Sequence, residues 1–123
     1  MNQQFLKIVG ETGEHMRMCA YLMTKGIDQD TTTRGAELLK VLGSPLRLRV
    51  ILALDERGEL CVHELTDLLE VNQPLMSQHL RVLRSANLIV GRRAGKEIRY
   101  SIADHHVTHI VRDAISHAEE ATP

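Results

Sequence analysis

Apolar residues recur at helical spacing in short bursts, each ended by glycine, proline or a polar break. Ala36, Leu38, Leu39 and Leu42 mark a short helix that Gly43 ends. Ser44-Pro45 sets a favoured N-cap before a proline in the first turn, a strong helix start. The helix that follows carries Leu46, Leu48, Val50, Ile51, Leu52 and Leu54 and stops at Gly58. It is apolar on most sides, as a central buried helix is. Residues 62–69 predict a third helix, with Val62, Leu65, Leu68 and Leu69 inward. Glu70-Val71-Asn72 is a turn, and Pro74 opens a fourth helix to about Ser85. Residues 88–90 form a short apolar β-run, and 91–96 a basic turn bracketed by glycines. In 97–102, Ile98, Tyr100 and Ile102 alternate with Glu97, Arg99 and Ser101, the period of a half-buried strand. Asp104 caps a last helix that reaches about Glu120.

The fold class is therefore mainly α with a small β-hairpin, the winged helix-turn-helix layout, and the expectation is a dimer through the N-terminal and C-terminal helices. Residues 1–33 read as an N-terminal arm and linker. Gly10 and Gly13 interrupt a helix-prone stretch there, and 24–33 is polar. Residues 34–120 form the domain, which ends in its last helix, and 121–123 are a tail. In 123 residues there is room for one ordinary domain. One Phe, two Tyr and no Trp leave the core to aliphatic residues, which suits helices better than a β-sandwich. Two cysteines make no disulfide framework, and no apolar run approaches the roughly 20 residues of a membrane span. The expected location is cytoplasmic, with no membrane partner.

Net charge is −1, so global charge does not advertise nucleic acid; its distribution does. From 73 to 100 the charges are Arg81, Arg84, Arg92, Arg93, Lys96 and Arg99 against Glu97 alone. A helix pair followed by a basic hairpin fits double-stranded DNA, with the second helix in the major groove. Its outward residues are expected to be Gln73, Ser77, Gln78, His79, Arg81 and Arg84. Gln pairs bidentately with adenine and Arg with guanine. Arg84, late in the helix, suits a phosphate. Arg92, Arg93, Lys96 and Arg99 of the wing are placed for backbone or minor groove. The blander reading of the wing is a solvated hairpin.

The last helix reads DHHVTHIVRDAISHAEE and holds four of the seven histidines. His106 and His117 are eleven residues apart, about 20° around the helix but about 16 Å along it. Metal–ligand bonds are only about 2 Å. One helix cannot bring both to one ion, but an antiparallel copy across a two-fold axis can. Asp104 and His106 of one chain then meet His117 and Glu120 of the other, and symmetry makes two such sites in a homodimer. Two imidazoles and two carboxylates suit tetrahedral Zn²⁺. Co²⁺ or Ni²⁺ would also bind, with His105 or His109 extending the coordination. Scattered histidines on a polar helix end remain the alternative. An enzyme is not expected: no His-Glu-x-x-His occurs, and four protein ligands leave no position for water.

These pieces resemble the ArsR/SmtB family of winged-helix metal-sensing repressors over residues 34–120. The matching segments are LGSPLRLRVILAL, ELCVHEL, NQPLMSQHLRVLRSANLIVGRRAGKEIRYSI, and DHH followed after ten residues by HAEE. Asp104-x-His106 with His117-x-x-Glu120 is similar to the C-terminal-helix site of the zinc-sensing SmtB-like branch. The resemblance implies a metal-free dimer that represses at operator DNA, and metal that loosens that binding. It also implies that Cys61 stands where other branches begin a thiolate site. Those branches usually have a second cysteine two positions on, where this chain has His63. A second metal site of Cys61 and Glu64 with His15 and Cys19 of the partner's arm is one reading; a small buried Cys61 is the other. A repressor answering a thiol or redox signal instead of metal is the remaining alternative.

Overall fold

The computed structural model describes residues 27–121. The chain divides into two compact units, Met1–Glu37 and Leu38–Pro123. Helix α1 (Gln29–Leu42) starts five residues before the helix-forming stretch expected from 34, inside the polar segment read as linker. Asp28 supplies the start: its Oδ1 accepts from the Thr31 N–H at 2.6 Å. Asp30 and Arg34, one turn apart, pair at 3.0 Å. Local capping and pairing offset the low helix propensity of three consecutive threonines.

In the second unit the end of α1 turns into α2 (Pro45–Arg57), where the Ser44 Oγ accepts from the Arg47 N–H. Gly58, at φ 90°, closes α2 by donating to the Leu54 carbonyl at 2.7 Å. Val50, Ile51, Ala53 and Leu54 of α2 are buried. Helix α3 (Val62–Leu69) buries Leu65 and Leu69, whereas Leu68, expected inward, is 41% exposed. Glu70 takes a left-handed conformation (φ 55°, ψ 49°), which ends α3 and turns the chain within three residues into α4 (Gln73–Ser85). Asn72 caps α4, its Oδ1 accepting from the Leu75 N–H at 2.9 Å. Met76, Leu80 and Leu83 make one buried stripe at i, i+4 and i+7.

Strands β1 (Ile89–Ala94) and β2 (Glu97–Ile102) pair antiparallel from Ile89 opposite Ile102 to Ala94 opposite Glu97. The residues expected as a six-residue basic turn are thus mostly strand, and the loop is Gly95-Lys96 alone. Gly95 has φ 66°, the positive value that a two-residue hairpin needs at its first loop position. Leu60 forms a bridge to Tyr100, fastening the entry of α3 to β2. Helix α5 (His105–Glu120) buries Val107 and Val111 in the common core. Arg112 ties it to α2 through Asp55, at 2.8 and 3.0 Å. No helix among the described residues is long and apolar enough to cross a membrane.

Candidate functional site

Helix α4 presents one committed and one free face. With Met76, Leu80 and Leu83 buried, Gln73, Gln78, Arg81 and Arg84 are exposed and Ser77 is half-buried. Gln73 and Ser77 line a pocket of 260 Å³ together with Cys61, His63 and Lys96, so the start of α4 and the tip of the wing share one concave surface.

His79 does not join that face as expected. It is half-buried, and its Nδ1 accepts from the Arg47 Nε at 3.0 Å. Arg47 also donates to the Val41 carbonyl at 3.1 Å. Burial, then the nearby Arg47 charge, lowers the imidazole pKa below its ordinary value. His79 is therefore a contact between helices, and it leaves the set of outward residues.

The wing arginines also differ from a simple basic hairpin. Arg93 and Lys96 are exposed, with no carboxylate partner among the described residues. Arg92 is paired with Glu59, and half-buried Arg99 lies among Glu59, Glu64 and Glu97. Arg99 packs the wing onto the start of α3, so its guanidinium is already shared among three carboxylates. The sequence reading missed Glu59 and Arg47, and gave Glu64 a candidate metal role without its pairing to Arg99. The two glutamates flanking Cys61 in ELCVHEL were the available signal; for Arg47 there was none.

At α5, Asp104 is the helix cap, its Oδ1 accepting from the N–H groups of His106 and Val107 at 2.9 and 3.3 Å. Oδ2 makes neither of these capping bonds, and its lone pairs can face a metal ion. Asp104, His106, His117 and Glu120 are all exposed. The structure brings Asp104 and His106 together at the start of α5 and leaves His117 and Glu120 at its far end. Among the described residues no three metal-ligating side chains converge within one chain. The histidine rings of 105 and 106 lie 4.1 Å apart, and those of 105 and 109 lie 5.7 Å apart.

For the second metal set, Cys61 is buried, and Glu64 Oε1 accepts the Cys61 N–H at 3.0 Å as a cap of α3. That hydrogen bond, and then Arg99, hold the Glu64 carboxyl below the usual carboxylate range. His15 and Cys19 lie outside the described residues.

A family model described as bacterial regulatory protein, arsR family, matches residues 44–90. The chain is 51% identical over 84 residues to the HTH-type transcriptional repressor SmtB of Mycobacterium tuberculosis, covering 68% of this chain and 62% of that repressor. This chain thus spans less than two thirds of that relative. It is 35% identical over 107 residues to the transcriptional repressor SmtB homolog of Synechocystis sp., covering 87% of this chain and 80% of the relative. Among solved structures, the homodimeric winged helix-turn-helix DNA-binding domain of Mb0332 from Mycobacterium bovis matches with a TM-score of 0.68 and 26% identity. That match covers 75% of this chain and 84% of the other.

Proposed function

The chain belongs to the ArsR/SmtB family of winged-helix regulators, and from that premise we propose that it is a homodimeric, metal-responsive transcriptional repressor without enzymatic activity. The metal-free dimer binds duplex operator DNA, and Zn²⁺ held between the two copies of α5 weakens that binding. The observation that carries the DNA half is a capped α4 with Gln73, Gln78 and Arg81 exposed, whose first turns (Gln73 and Ser77) share one concave surface with Lys96 at the wing tip. Gln78 and Arg81 would meet base edges; Arg84, Arg93 and Lys96 would meet phosphates.

The donor set fits zinc, because Asp104 keeps one carboxylate oxygen beyond its capping bonds and the other three side chains project from an exposed helix face. When bound, Zn²⁺ supplies a cross-link between two α5 helices. Asp104 and His106 of one protomer orient their donors from the first turn, while His117 and Glu120 of the other close from the last turn. The cross-link fixes a dimer whose α4 helices no longer match successive major grooves, about 34–36 Å apart. Ligand histidines must be neutral, so the metal response weakens in acid.

Ni²⁺ or Co²⁺ in place of zinc has one supporting observation: His105 and His109 cluster with His106 as further nitrogen donors. A thiol signal through Cys61 gains no support, since that side chain is only 4% exposed.

The test is operator binding by the purified dimer with and without each metal. His106→Ala and His117→Ala should keep operator binding and lose the metal response. Tighter operator binding on adding Zn²⁺ would overturn the sign of the switch.

A further inference from the structure

Arg92 lays its guanidinium fork on Glu59, with Nε 3.0 Å from Oε2 and the terminal nitrogen 2.7 Å from Oε1. Arg99 reaches the same carboxylate at 3.4 Å and donates to the Glu59 carbonyl at 3.1 Å. Arg99 also lies 3.2 Å from Glu64 and 3.9 Å from Glu97. Arg92 and Arg99 thus face three carboxylates (Glu59, Glu64 and Glu97), so these two wing cations are neutralised from within the chain while Arg93 and Lys96 stay exposed.

A carboxylate and a phosphate offer a guanidinium fork the same pair of oxygens. Glu59 therefore stands where a DNA phosphate would stand. The Arg92 hydrogen bond also holds the Glu59 carboxyl below the usual carboxylate range, so it is charged at neutral pH. The Arg92 side chain is still 60% exposed and can be reached from solvent.

We propose that Glu59 is a specificity-determining residue: an internal phosphate mimic that occupies Arg92 and suppresses sequence-independent DNA binding. A phosphate approaching Arg92 must displace Glu59 and then remain beside its negative charge. That penalty falls on every complex that draws on Arg92. A complex held by base contacts from α4 can leave Arg92 on Glu59 and escape it, whereas one held by phosphate contacts alone cannot, so the ratio of specific to non-specific binding rises. The inference rests on the DNA-binding reading above.

The test measures binding of the full chain to a random-sequence duplex across roughly 50–200 mM salt. Glu59→Gln should bind about tenfold tighter at the lower salt, with the slope of log K against log salt steeper by about 0.9, one more phosphate contact. Glu59→Gln/Arg92→Gln should bind no tighter than Arg92→Gln alone. Unchanged or weaker binding by Glu59→Gln, or a gain that survives in the double variant, overturns the proposal. If the wild type binds no duplex at any salt, the DNA-binding reading itself has failed. A second measurement needs no variant. On titrating the wild type with the random duplex, the Arg93 side-chain NMR signal should shift while the Arg92 Nε–H signal stays in place. Equal shifts of both overturn the proposal.

Discussion

His79 sits where α4 meets α2, accepting from Arg47, which also holds the carbonyl at the end of α1. A proton on its Nδ1 would remove that acceptor and set two cations against each other. The folded imidazole therefore titrates below the ordinary 6.5, while the unfolded one titrates near it. Between those values the unfolded chain binds more protons, so stability present above about pH 6.5 is lost as pH falls toward the folded value. The urea midpoint of the wild type should drop as pH falls through about 6.5, and that of His79→Gln should drop less. Equal slopes in the two proteins would show that His79 is not the group responsible. The sequence held a hint of this: His79 is four residues before Leu83, about 40° from the buried stripe. Polarity outweighed position in reading it as outward. The surroundings of Arg99 were illegible in a similar way, because a charge on an alternating strand says nothing about the carboxylates that fold against it.

At the scale of elements, α5 carries two apolar edges with different duties. Val111 is 1% exposed and packs on its own core, whereas Ile110 is 37% exposed on the side of His106. Val111→Ala should destabilise the chain by about 2 kcal/mol at any protein concentration. Ile110→Ala should act through association: its melting temperature should depend more steeply on protein concentration than that of the wild type. Matching behaviour of the two variants would refute the division. Most elements were legible from spacing and punctuation: Ser44-Pro45, Gly58, Pro74 and Asp104 each mark an observed boundary. Boundaries set by pairing were not. Strand β1 runs through Arg92 and Arg93 because their partners, Arg99 and Ile98, lie across the ladder. Helix α1 begins at Gln29 because Asp28 caps it, a contact between side chain and backbone that periodicity does not register.

At the scale of the whole molecule, the proposed metal site belongs to the dimer. The 16 residues of α5 hold its two halves apart, and helix rise alone makes that legible in sequence. The geometry that joins them is a relation between two chains, written in neither. Mixing supplies a sharp check. In a heterodimer of His106→Ala with His117→Ala, one site loses both histidines and the other keeps all four ligands. Such a heterodimer should recover one zinc equivalent per dimer by calorimetry, where each variant homodimer has lost both complete sites. No recovery would mean that Asp104, His106, His117 and Glu120 do not act across the two-fold axis.

Cys61, 4% exposed on the wall of the pocket between α4 and the wing, gives the helix-turn-helix a built-in clock. A small reagent in that pocket gains the sulfur chiefly through openings of this corner. With Cys19 changed to serine, the pace of labelling counts those openings one by one. It would tell whether DNA or metal quiets the reading head itself or only repositions it.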